Sequence, residues 1–489
     1  MKWQDFMLKV SDLIKHEEIE KWQLGDRILI TAGTGTGKTY FVMNSLTKHA
    51  NTFGAKILLL VNRAPLQNQI QHNHQELGKS DLIDVRTYQS VENEILQGTH
   101  DFAEYKFIVC DEAHYFFNDS QFNNKTNLIL NLIRDGLKDK IVILMSATAT
   151  LLKSYLKINE SSIYKLDNNY DYIEGIYTYK NQDVIEQMLN SLPKGEKAIY
   201  FSKSVEKAFD MSRSLSNASF ICSYGNRKYS RYIDNDELNN IQQNECFECQ
   251  VLCCTTALDN GINIIDEQVK HIIIDVLDID TVIQCIGRKR VVYVTERVRL
   301  YLREVNGSYA HTIYNSVTKD LEQASYLLHQ GEKAFRKKYH KQDYSKFLID
   351  IDEDAMRVNE AGAWKYQQIK RMCNAIKNKE KTWLNMLFEE MGLDNPNVES
   401  LESIMGGRSL TSYLQEMQDK PMFSEVQEVF RETIKGILNG LISQNNRRFG
   451  INAINQILKE LRIPFVVESK RQNKGKMRNQ RYWIVKALS

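Results

Sequence analysis

One segment of the sequence has the residue types and spacing of a loop that binds nucleotide phosphates. It reads Ala32-Gly33-Thr34-Gly35-Thr36-Gly37-Lys38-Thr39 and lies between a strand-like apolar run and an apolar helical pattern. Glycines allow backbone N–H groups to curl around a phosphate, and the start of the next helix adds a partial positive charge. Lys38 is predicted to reach the β- and γ-phosphates, and Thr39 to ligate Mg²⁺.

A second candidate is the acidic pair Asp111-Glu112, which ends the apolar run Phe107–Cys110 and precedes His114. The carboxyl end of a parallel strand is where an α/β sheet places its ligand-binding residues. Asp111 is therefore predicted to hold Mg²⁺, and Glu112 to polarise an attacking water. An isolated acidic pair is usually part of a turn, but a phosphate loop in the same chain favours a catalytic role.

Two blocks of strand-like runs are predicted to position these residues. Their continuity in Val, Ile and Leu is typical of strands buried on both faces of a parallel sheet. The first block contains Arg27–Thr31, Ile57–Val61, Leu82–Arg86, Phe107–Cys110 and Ile141–Met145. The second block contains Ala198–Phe201, Ser219–Cys222, Val251–Cys254, His271–Asp275 and Val291–Val294. The predicted fold class is α/β, with two parallel-sheet domains in tandem.

The sequence changes character after about residue 306. Helical patterns cover 311–340, 355–393, 397–418 and 422–443, and no strand is predicted among them. The last segment combines helical Ile451–Arg462 with strand-like Phe465–Val467 and Tyr482–Val485, a pattern typical of the end of a winged helix. We predict two α/β domains at 1–155 and 156–306, a helical region at 307–445 and a basic winged-helix-like module at 446–489.

Composition indicates a multidomain globular protein. The chain has 489 residues, 42% of them hydrophobic and 26% charged, which excludes disordered and fibrous classes. Its apolar runs are too short to span a bilayer, and its N-terminus does not resemble a signal peptide. Eight cysteines in so long a chain indicate reduced thiols. A soluble protein of the cytoplasm is expected.

Eight ordered motifs give residues 20–305 a resemblance to superfamily 2 helicases, the DEAD/DEAH-type motors with two RecA-like domains. Besides the phosphate loop and Asp111–His114, the motifs are Asn62–Leu66, Arg86–Gln89, Ser146–Thr148, Ile199–Ser202, Thr255–Asn263 and Gln284–Arg290. The last motif ends Gly287-Arg288-Lys289-Arg290, one residue shorter than the usual Gly-Arg-x-Gly-Arg. This shortened form is similar to that of origin-binding and mobile-element replication helicases.

The resemblance implies an ATP-hydrolysing motor with ATP and Mg²⁺ between its two RecA-like domains. Besides the phosphate loop, Gly261 would bind the nucleotide. Gln284, Arg288 and Arg290 would reach the nucleotide from the second domain, as arginine fingers do, and which arginine contacts the γ-phosphate is left open. The residues implied to couple ATP hydrolysis to nucleic-acid binding are His114, Ser146 and Thr148. The family-type contacts to the nucleic-acid backbone would come from Arg63, Thr87, Ser202 and Thr255 or Thr256.

The C-terminal module is predicted to bind a polyanion. Residues 447–489 contain eleven Lys and Arg against two Glu, so their net charge is +9 and the remaining chain carries −7. The predicted nucleic-acid contacts of its hairpin are Lys470, Arg471, Lys474, Lys476 and Arg478. Tyr482 or Trp483 could stack on an unpaired base, although both could instead be core residues.

The function predicted is that of an ATP-dependent helicase or translocase, with DNA favoured over RNA. DNA is favoured because His16–Glu20 lacks the adenine-reading glutamine of DEAD-box RNA helicases. The alternatives are an RNA helicase, a duplex translocase that does not unwind, and a sequence-specific origin-type binding protein with an accessory motor. The helical region could bind a protein partner, and no membrane partner is expected. Zinc at Cys246, Cys249 and Cys253-Cys254 is disfavoured because neighbouring thiols of a strand face opposite sides.

Overall fold

Two parallel β-sheets form the centre of this structure, a computed structural model. It describes residues 8–33, 35–62, 82–121, 123, 125–256, 263–339, 344–345, 347–352, 355–438, 449–473 and 478–488. We call the parts built on the two sheets the first and second domains. In the described part of the chain, no helix has both the length and the apolar character needed to cross a membrane.

The first sheet has six strands in the order β3-β2-β4-β5-β1-β6, and every neighbouring pair is parallel. The strands are β1 Arg27–Ala32, β2 Lys56–Val61, β3 Ile83–Thr87, β4 Tyr105–Cys110, β5 Ile141–Ser146 and β6 Ile163–Leu166. The five strands predicted for the first block are confirmed. β6 was not predicted, because it is a short edge strand with only Leu166 buried. It lies beyond residue 155 and yet pairs with β1.

Both faces of the first sheet are covered, which explains its continuous apolar runs. Ile28 and Ile30 pack into one hydrophobic cluster, whereas Leu29 between them packs into another on the opposite face. All six residues of β5 are buried. Parallel strands fixed in this way bring the loops that follow β1 and β4 to the same edge of the sheet.

The second sheet has seven strands, and six of them run in the order β7-β12-β11-β8-β10-β9, again all parallel. They are β7 Ile173–Tyr179, β8 Lys197–Ser202, β9 Ala218–Ile221, β10 Val251–Thr255, β11 Val269–Asp275 and β12 Val298–Arg303. Four predicted strands are confirmed, and β7 and β12 were not predicted. The prediction of a strand at Val291–Val294 was wrong: the backbone N–H groups of Val292 and Tyr293 donate to the carboxylate of Glu296, which holds a turn there.

The region after residue 306 contains strands as well as helices, so the prediction that strands are absent there was wrong. β13 Ile349–Asp352 and β14 Ala355–Val358 form an antiparallel hairpin. β15 Val398–Ser400 pairs in parallel with β7 and so becomes the edge strand of the second sheet. These strands have three or four paired residues each, too few for a periodic pattern to show in the sequence.

Eighteen α-helices are described between and after the strands. In chain order they are α1 Val10–Leu13, α2 His16–Ile19, α3 Lys38–Tyr40, α4 Thr47–Thr52, α5 Tyr88–Gln97, α6 Tyr115–Asn118, α7 Thr126–Asn131, α8 Thr150–Leu156, α9 Gln182–Asn190, α10 Val205–Ser214, α11 Asn235–Asn244, α12 Ile279–Arg288, α13 Gly307–Lys338, α14 Glu360–Lys377, α15 Trp383–Met391, α16 Leu401–Met417, α17 Ser424–Ile437 and α18 Ile451–Glu460. A π-helical stretch, Phe41–Leu46, joins α3 to α4. Gly331 interrupts α13 with φ 75°.

The C-terminal module has the predicted order of helix, strand, turn and strand. After α18, β16 Phe465–Arg471 and β17 Arg481–Ala487 form an antiparallel hairpin. Its hydrophobic core also includes Leu410 and Leu414 of α16 and Phe430 of α17. The module is therefore packed together with the two preceding helices.

Candidate active site

Lys38 is the buried cation at the centre of the phosphate loop. Its Nζ donates hydrogen bonds to the carbonyl oxygens of Ala32 at 2.9 Å and Gly33 at 3.0 Å, and only 6% of the residue is exposed. Gly35 and Gly37 have φ of 83° and 81°, a conformation that glycine adopts without strain. Thr39, half-buried, follows Lys38 in the first turn of α3. Thr34 lies outside the described residues.

Val10 and Asn168, distant from the loop in sequence, also contact it, and no sequence motif indicated them. Thr36 is buried, its hydroxyl donates to the carbonyl of Gly33 at 2.7 Å, and its own carbonyl accepts from the backbone N–H of Val10 at 3.0 Å. A Cβ at Gly33 would lie 1.9 Å from Oδ1 of Asn168, in the connection to the second domain. A larger residue at position 33 would therefore displace the Asn168 side chain.

The acidic pair lies at the same edge of the sheet as the loop, although β5 separates their strands. Oε1 of Glu112 lies 4.0 Å from Nζ of Lys38, and Oδ1 of Asp111 accepts from the backbone N–H of Glu112 at 3.0 Å. Burial and then the neighbouring Glu112 raise the pKa of Asp111. Burial would also raise the pKa of Glu112, but the nearby cations, first among them Lys38, lower it below its ordinary value. Glu112 is therefore held ionised.

His114 and Ser146 are in direct contact between the acidic motif and the end of β5. Nδ1 of His114 lies 3.3 Å from Oγ of Ser146 and 3.3 Å from Oε2 of Glu112. The backbone N–H of Thr148 donates to the same Ser146 oxygen at 3.2 Å. Burial lowers the pKa of His114 to about 4, so the imidazole is neutral. The structure thus brings together the three residues predicted to couple the sites.

The second domain faces the loop with Gln284, Arg288 and Arg290. Nη1 of Arg290 lies 3.1 Å from the position that a Cβ would take at Gly35, and its Nε donates to Oδ1 of Asn263 at 2.9 Å. Burial and then Arg288 lower the pKa of Arg290 to about 10, and the group stays charged at neutral pH. Arg288 is buried, and its charge also lowers the pKa of Glu112.

Lys289 stands between the two arginines of the shortened motif and is held by a buried ion pair. Its Nζ lies 2.6 Å from Oε2 of Glu296 and donates to the carbonyl of Arg290 at 2.8 Å. Ile264 accepts from the backbone N–H of Arg290 and donates to the carbonyl of Arg288, both at 2.8 Å. Arg288 is the last residue of α12, and Lys289 has an extended backbone.

A cleft of about 310 Å³ lies between the two domains, beside the phosphate loop. The first domain contributes Gly33 and Gly35, and the second contributes Gln284 and Arg290. The Nε2 of Gln284 is buried with no hydrogen-bond partner in the described part of the chain. Cationic groups and unsatisfied donors facing a phosphate loop favour a triphosphate ligand.

In the two domains, the residues predicted to contact nucleic acid are buried or partly buried wherever the structure describes them. Oγ1 of Thr87 accepts from the backbone N–H of Ser90 at 3.1 Å and caps α5. Ser202 is fully buried, and its hydroxyl accepts from the backbone N–H of Ser204 at 3.1 Å. Thr255 is also buried, whereas Thr256 is partly exposed. The remaining predicted residues, Arg63, Gly261, Lys474 and Lys476, lie outside the described part of the chain.

The C-terminal hairpin carries exposed charge beside a packed aromatic. Lys470, Arg471 and Arg478 are exposed. Trp483 packs against the core of the module, and the guanidinium of Arg431 lies 5.5 Å from its ring centre. Trp483 is therefore a core residue rather than a free surface for stacking on a base.

Of the four cysteines predicted to be structural, Cys249, Cys253 and Cys254 are buried in the core, and Cys246 is partly exposed. Cys254 and Cys253 of β10 enter different hydrophobic clusters, on opposite faces of the second sheet. Among the described residues, no three His, Cys, Asp or Glu side chains are grouped so that they could hold a metal ion.

Two parallel-sheet domains that face one phosphate loop are an arrangement typical of P-loop ATP-driven motors. Residues 13–155, which contain the loop and the acidic motif, match the family model described as DEAD/DEAH box helicase. This segment is therefore similar to the nucleotide-binding domain of DEAD/DEAH box helicases. No curated protein sequence matches the chain.

Solved helicase structures are similar to this chain at low sequence identity. S. cerevisiae Dbp5 bound to RNA and ADP BeF3 is 18% identical over 72% of this chain and 89% of its own, with a TM-score of 0.42. The DEAD-box helicase Mss116 bound to ssRNA and UDP-BeF is 14% identical over 60% and 69%, with a TM-score of 0.39. The Pyrococcus furiosus Hef helicase domain is 16% identical over 63% and 100%, with a TM-score of 0.35.

Proposed function

We propose that this enzyme uses ATP to move along or separate strands of DNA. The observation that carries the proposal is the position of Arg290, which extends from the second domain to Gly35 of the phosphate loop. A charge that reaches the nucleotide only when the two domains are together makes hydrolysis depend on domain closure. Repeated closure and opening around a bound strand is the basis of translocation.

Within the cleft, each group has a role that its surroundings support. Lys38 binds the β- and γ-phosphates, and Glu112, kept ionised by nearby cations, orients and deprotonates the attacking water. Arg290, with Arg288, neutralises the charge that develops on the transferred phosphoryl group. His114, Ser146 and Thr148 transmit the state of Glu112 to the second domain.

The donors next to Lys38 fit Mg²⁺. The hydroxyl of Thr39 and the carboxylate of Asp111 are hard oxygen ligands, and Mg²⁺ is commonly held by one or two carboxylates together with substrate phosphates. A divalent cation there would neutralise charge on the β- and γ-phosphates. It would also favour the ionised form of Asp111, whose pKa is raised by burial.

The nucleic acid is proposed to lie across both domains and the C-terminal module. In the two domains, Arg63, Thr87, Ser202, Thr255 and Thr256 are the proposed backbone contacts. For Ser202 this requires the domain surface to open, because its hydroxyl is fully buried. In the module, the proposed contacts are Lys470, Arg471, Lys474, Lys476 and Arg478.

Two features of the sequence favour DNA over RNA as the substrate. The segment upstream of the phosphate loop lacks an adenine-reading glutamine at the position used by DEAD-box RNA helicases. The last motif has the short form found in origin-binding and mobile-element replication helicases. Lys289, buried against Glu296, is compatible with that short form.

Steady-state ATP hydrolysis tests this function. The rate is measured alone and with single-stranded DNA, duplex DNA or single-stranded RNA at matched salt. Stimulation by DNA together with strand release from a fluorescent duplex supports the proposal. Stimulation by RNA alone would show that the substrate is RNA and not DNA. Duplex-dependent hydrolysis without strand release would indicate a translocase that does not unwind.

A further inference from the structure

Helix α14, from the helical region, packs against both domains at once. Its first turns contact the first domain: Ala361 is buried in that core, and the ring of Trp364 lies 5.6 Å from that of Tyr155. Its last turns belong to the second domain, where Cys373 and Ile376 are buried in the core. This helix is therefore placed to respond to how the two domains are arranged.

Lys365, in the second turn of α14, binds both domains with one ammonium group. Its Nζ lies 2.7 Å from Oδ1 of Asn118 and 3.1 Å from Oδ2 of Asp278, and only 4% of the residue is exposed. Asn118 ends α6, directly after the acidic motif of the first domain. Asp278 precedes α12, the helix of the second domain that carries Gln284 and Arg288.

The ammonium group fixes which way the Asn118 amide points. A lysine has donors and no acceptor, so Asn118 must present its carbonyl oxygen to Lys365. The amide nitrogen of Asn118 then faces Oε1 of Gln284 at 3.4 Å. Because Oε1 of Gln284 is the acceptor, its Nε2 is directed elsewhere. This nitrogen is a buried donor with no partner among the described residues, in a side chain that lines the cleft with Gly33.

We propose that Lys365 is a positioning residue for ATP hydrolysis, which acts through Asn118 to orient Gln284 as a donor toward the nucleotide. The proposal rests on the proposed function, in which Gln284 contacts ATP. Lys365 itself touches neither ATP nor the reacting atoms. It makes the geometry of the cleft depend on a helix outside both RecA-like domains.

A purely structural role for Lys365 must be separated from positioning. Removing one partner of a buried ion pair destabilises a protein, because the other charge is left unpaired, whereas removing both is often nearly neutral. Two variants of this ion pair can therefore be compared, one that removes the lysine alone and one that removes both charges. Lys365→Met leaves Asp278 unpaired, and Lys365→Met with Asp278→Asn removes both charges while the Asn118 amide still lacks its lysine.

The experiment measures kcat, KM for ATP and the melting temperature of Lys365→Met, Asp278→Asn and the double variant in the full chain. Lys377→Met is the matched control, because Lys377 is exposed in the last turn of the same helix. We expect Lys365→Met to lower kcat about tenfold, as loss of one oriented hydrogen-bond donor does, with KM within about twofold. The double variant should recover the melting temperature and not kcat. Recovery of both would overturn the proposal.

Two further variants separate the possible failures. In an Asn118→Ala background, Lys365→Met should lower kcat no further, because the two residues act in series. A full additional tenfold loss would overturn the inference. Gln284→Ala tests the proposed site alone: normal hydrolysis in that variant would refute the proposed role of Gln284. A strong effect of Gln284→Ala without one of Lys365→Met would refute only the positioning role.

Discussion

Positive charge is concentrated in two regions of this enzyme, the cleft between the domains and the C-terminal hairpin. The two regions differ in how far the charges are exposed to water. In the cleft, Lys38, Arg288 and Arg290 are enclosed by protein, and their charges lower the pKa of Glu112. In the hairpin, Lys470 is exposed, and Glu468 at 2.9 Å is the ion-pair partner described for it.

The difference follows from the dielectric surroundings of the charges. Charges interact strongly where water is excluded, so each cation of the cleft has a defined geometry and a specific partner. Exposed charges are screened by water and salt, so those of the hairpin act mainly by displacing counterions from a polyanion. Single substitutions should therefore have large effects in the cleft and small, additive effects in the hairpin.

The largest effect is expected for Arg290→Ala. Loss of an arginine finger lowers kcat by about 10³-fold or more, because part of the transition-state charge is then left without a counter-charge. Arg297→Ala, in the same loop but exposed, should leave kcat unchanged. Stopped-flow phosphate release measures both. A loss in Arg288→Ala that exceeds that in Arg290→Ala would reverse the assignment of the finger.

Glu112→Gln should lower kcat by about 10²- to 10⁴-fold, the range for loss of a general base. Nucleotide binding should persist, because the amide keeps the size of the side chain and Lys38 is retained. Equilibrium binding of a fluorescent ATP analogue, measured beside hydrolysis, separates the two. Glu104→Gln, on the surface of the same domain, is the control. An unchanged rate in Glu112→Gln would remove the proposed base from the mechanism.

Substitutions in the hairpin should have small effects on DNA affinity, in contrast to the large effects on kcat expected in the cleft. Arg471→Gln and Arg478→Gln should each reduce the slope of log affinity for DNA against log salt by about one, equally for all DNA sequences. The value of kcat at saturating DNA should not change. Lys435→Gln on α17 is an exposed control outside the hairpin. Loss of affinity for one DNA sequence only would indicate base recognition instead.

The smallest effect concerns the pH dependence of stability. The folded-state pKa of His114 is about 4, below its ordinary value of about 6.5. Between these values the unfolded chain binds more protons than the folded one, so the free energy of unfolding falls as pH is lowered from 6.5 to 4. His114→Gln should make that fall shallower, by a few kcal/mol at most, since one pKa unit is worth about 1.4 kcal/mol. Urea unfolding at several pH values measures it, and an unchanged slope would contradict the expectation.

The sequence predicted those parts of the molecule whose pattern is strong and local. Strands such as β2 and β5 are buried on both faces, which forces a continuous apolar run. The edge strands β6 and β15 are short and partly polar, so the same rule does not detect them. The sequence motifs are also local, and they were enough to identify Lys38 and Glu112 as candidate residues of the site.

The supporting residues of the site had no sequence signal. Asn118, Asn168 and Lys365 are ordinary residue types that approach the cleft only after the chain has folded. The role of Lys289 was hidden for another reason. It stands inside a recognisable motif, and only the folded structure shows its buried ion pair with Glu296.

The strand β15 also determines where this enzyme can be shortened. A fragment that ends after Arg303 has all the helicase motifs, but it loses the backbone groups of Val398–Ser400 that pair with β7. The bare edge of β7 would then offer unpaired N–H and C=O groups to the same edge of another molecule. Such a fragment should self-associate, whereas one that extends through Met417 keeps the edge covered.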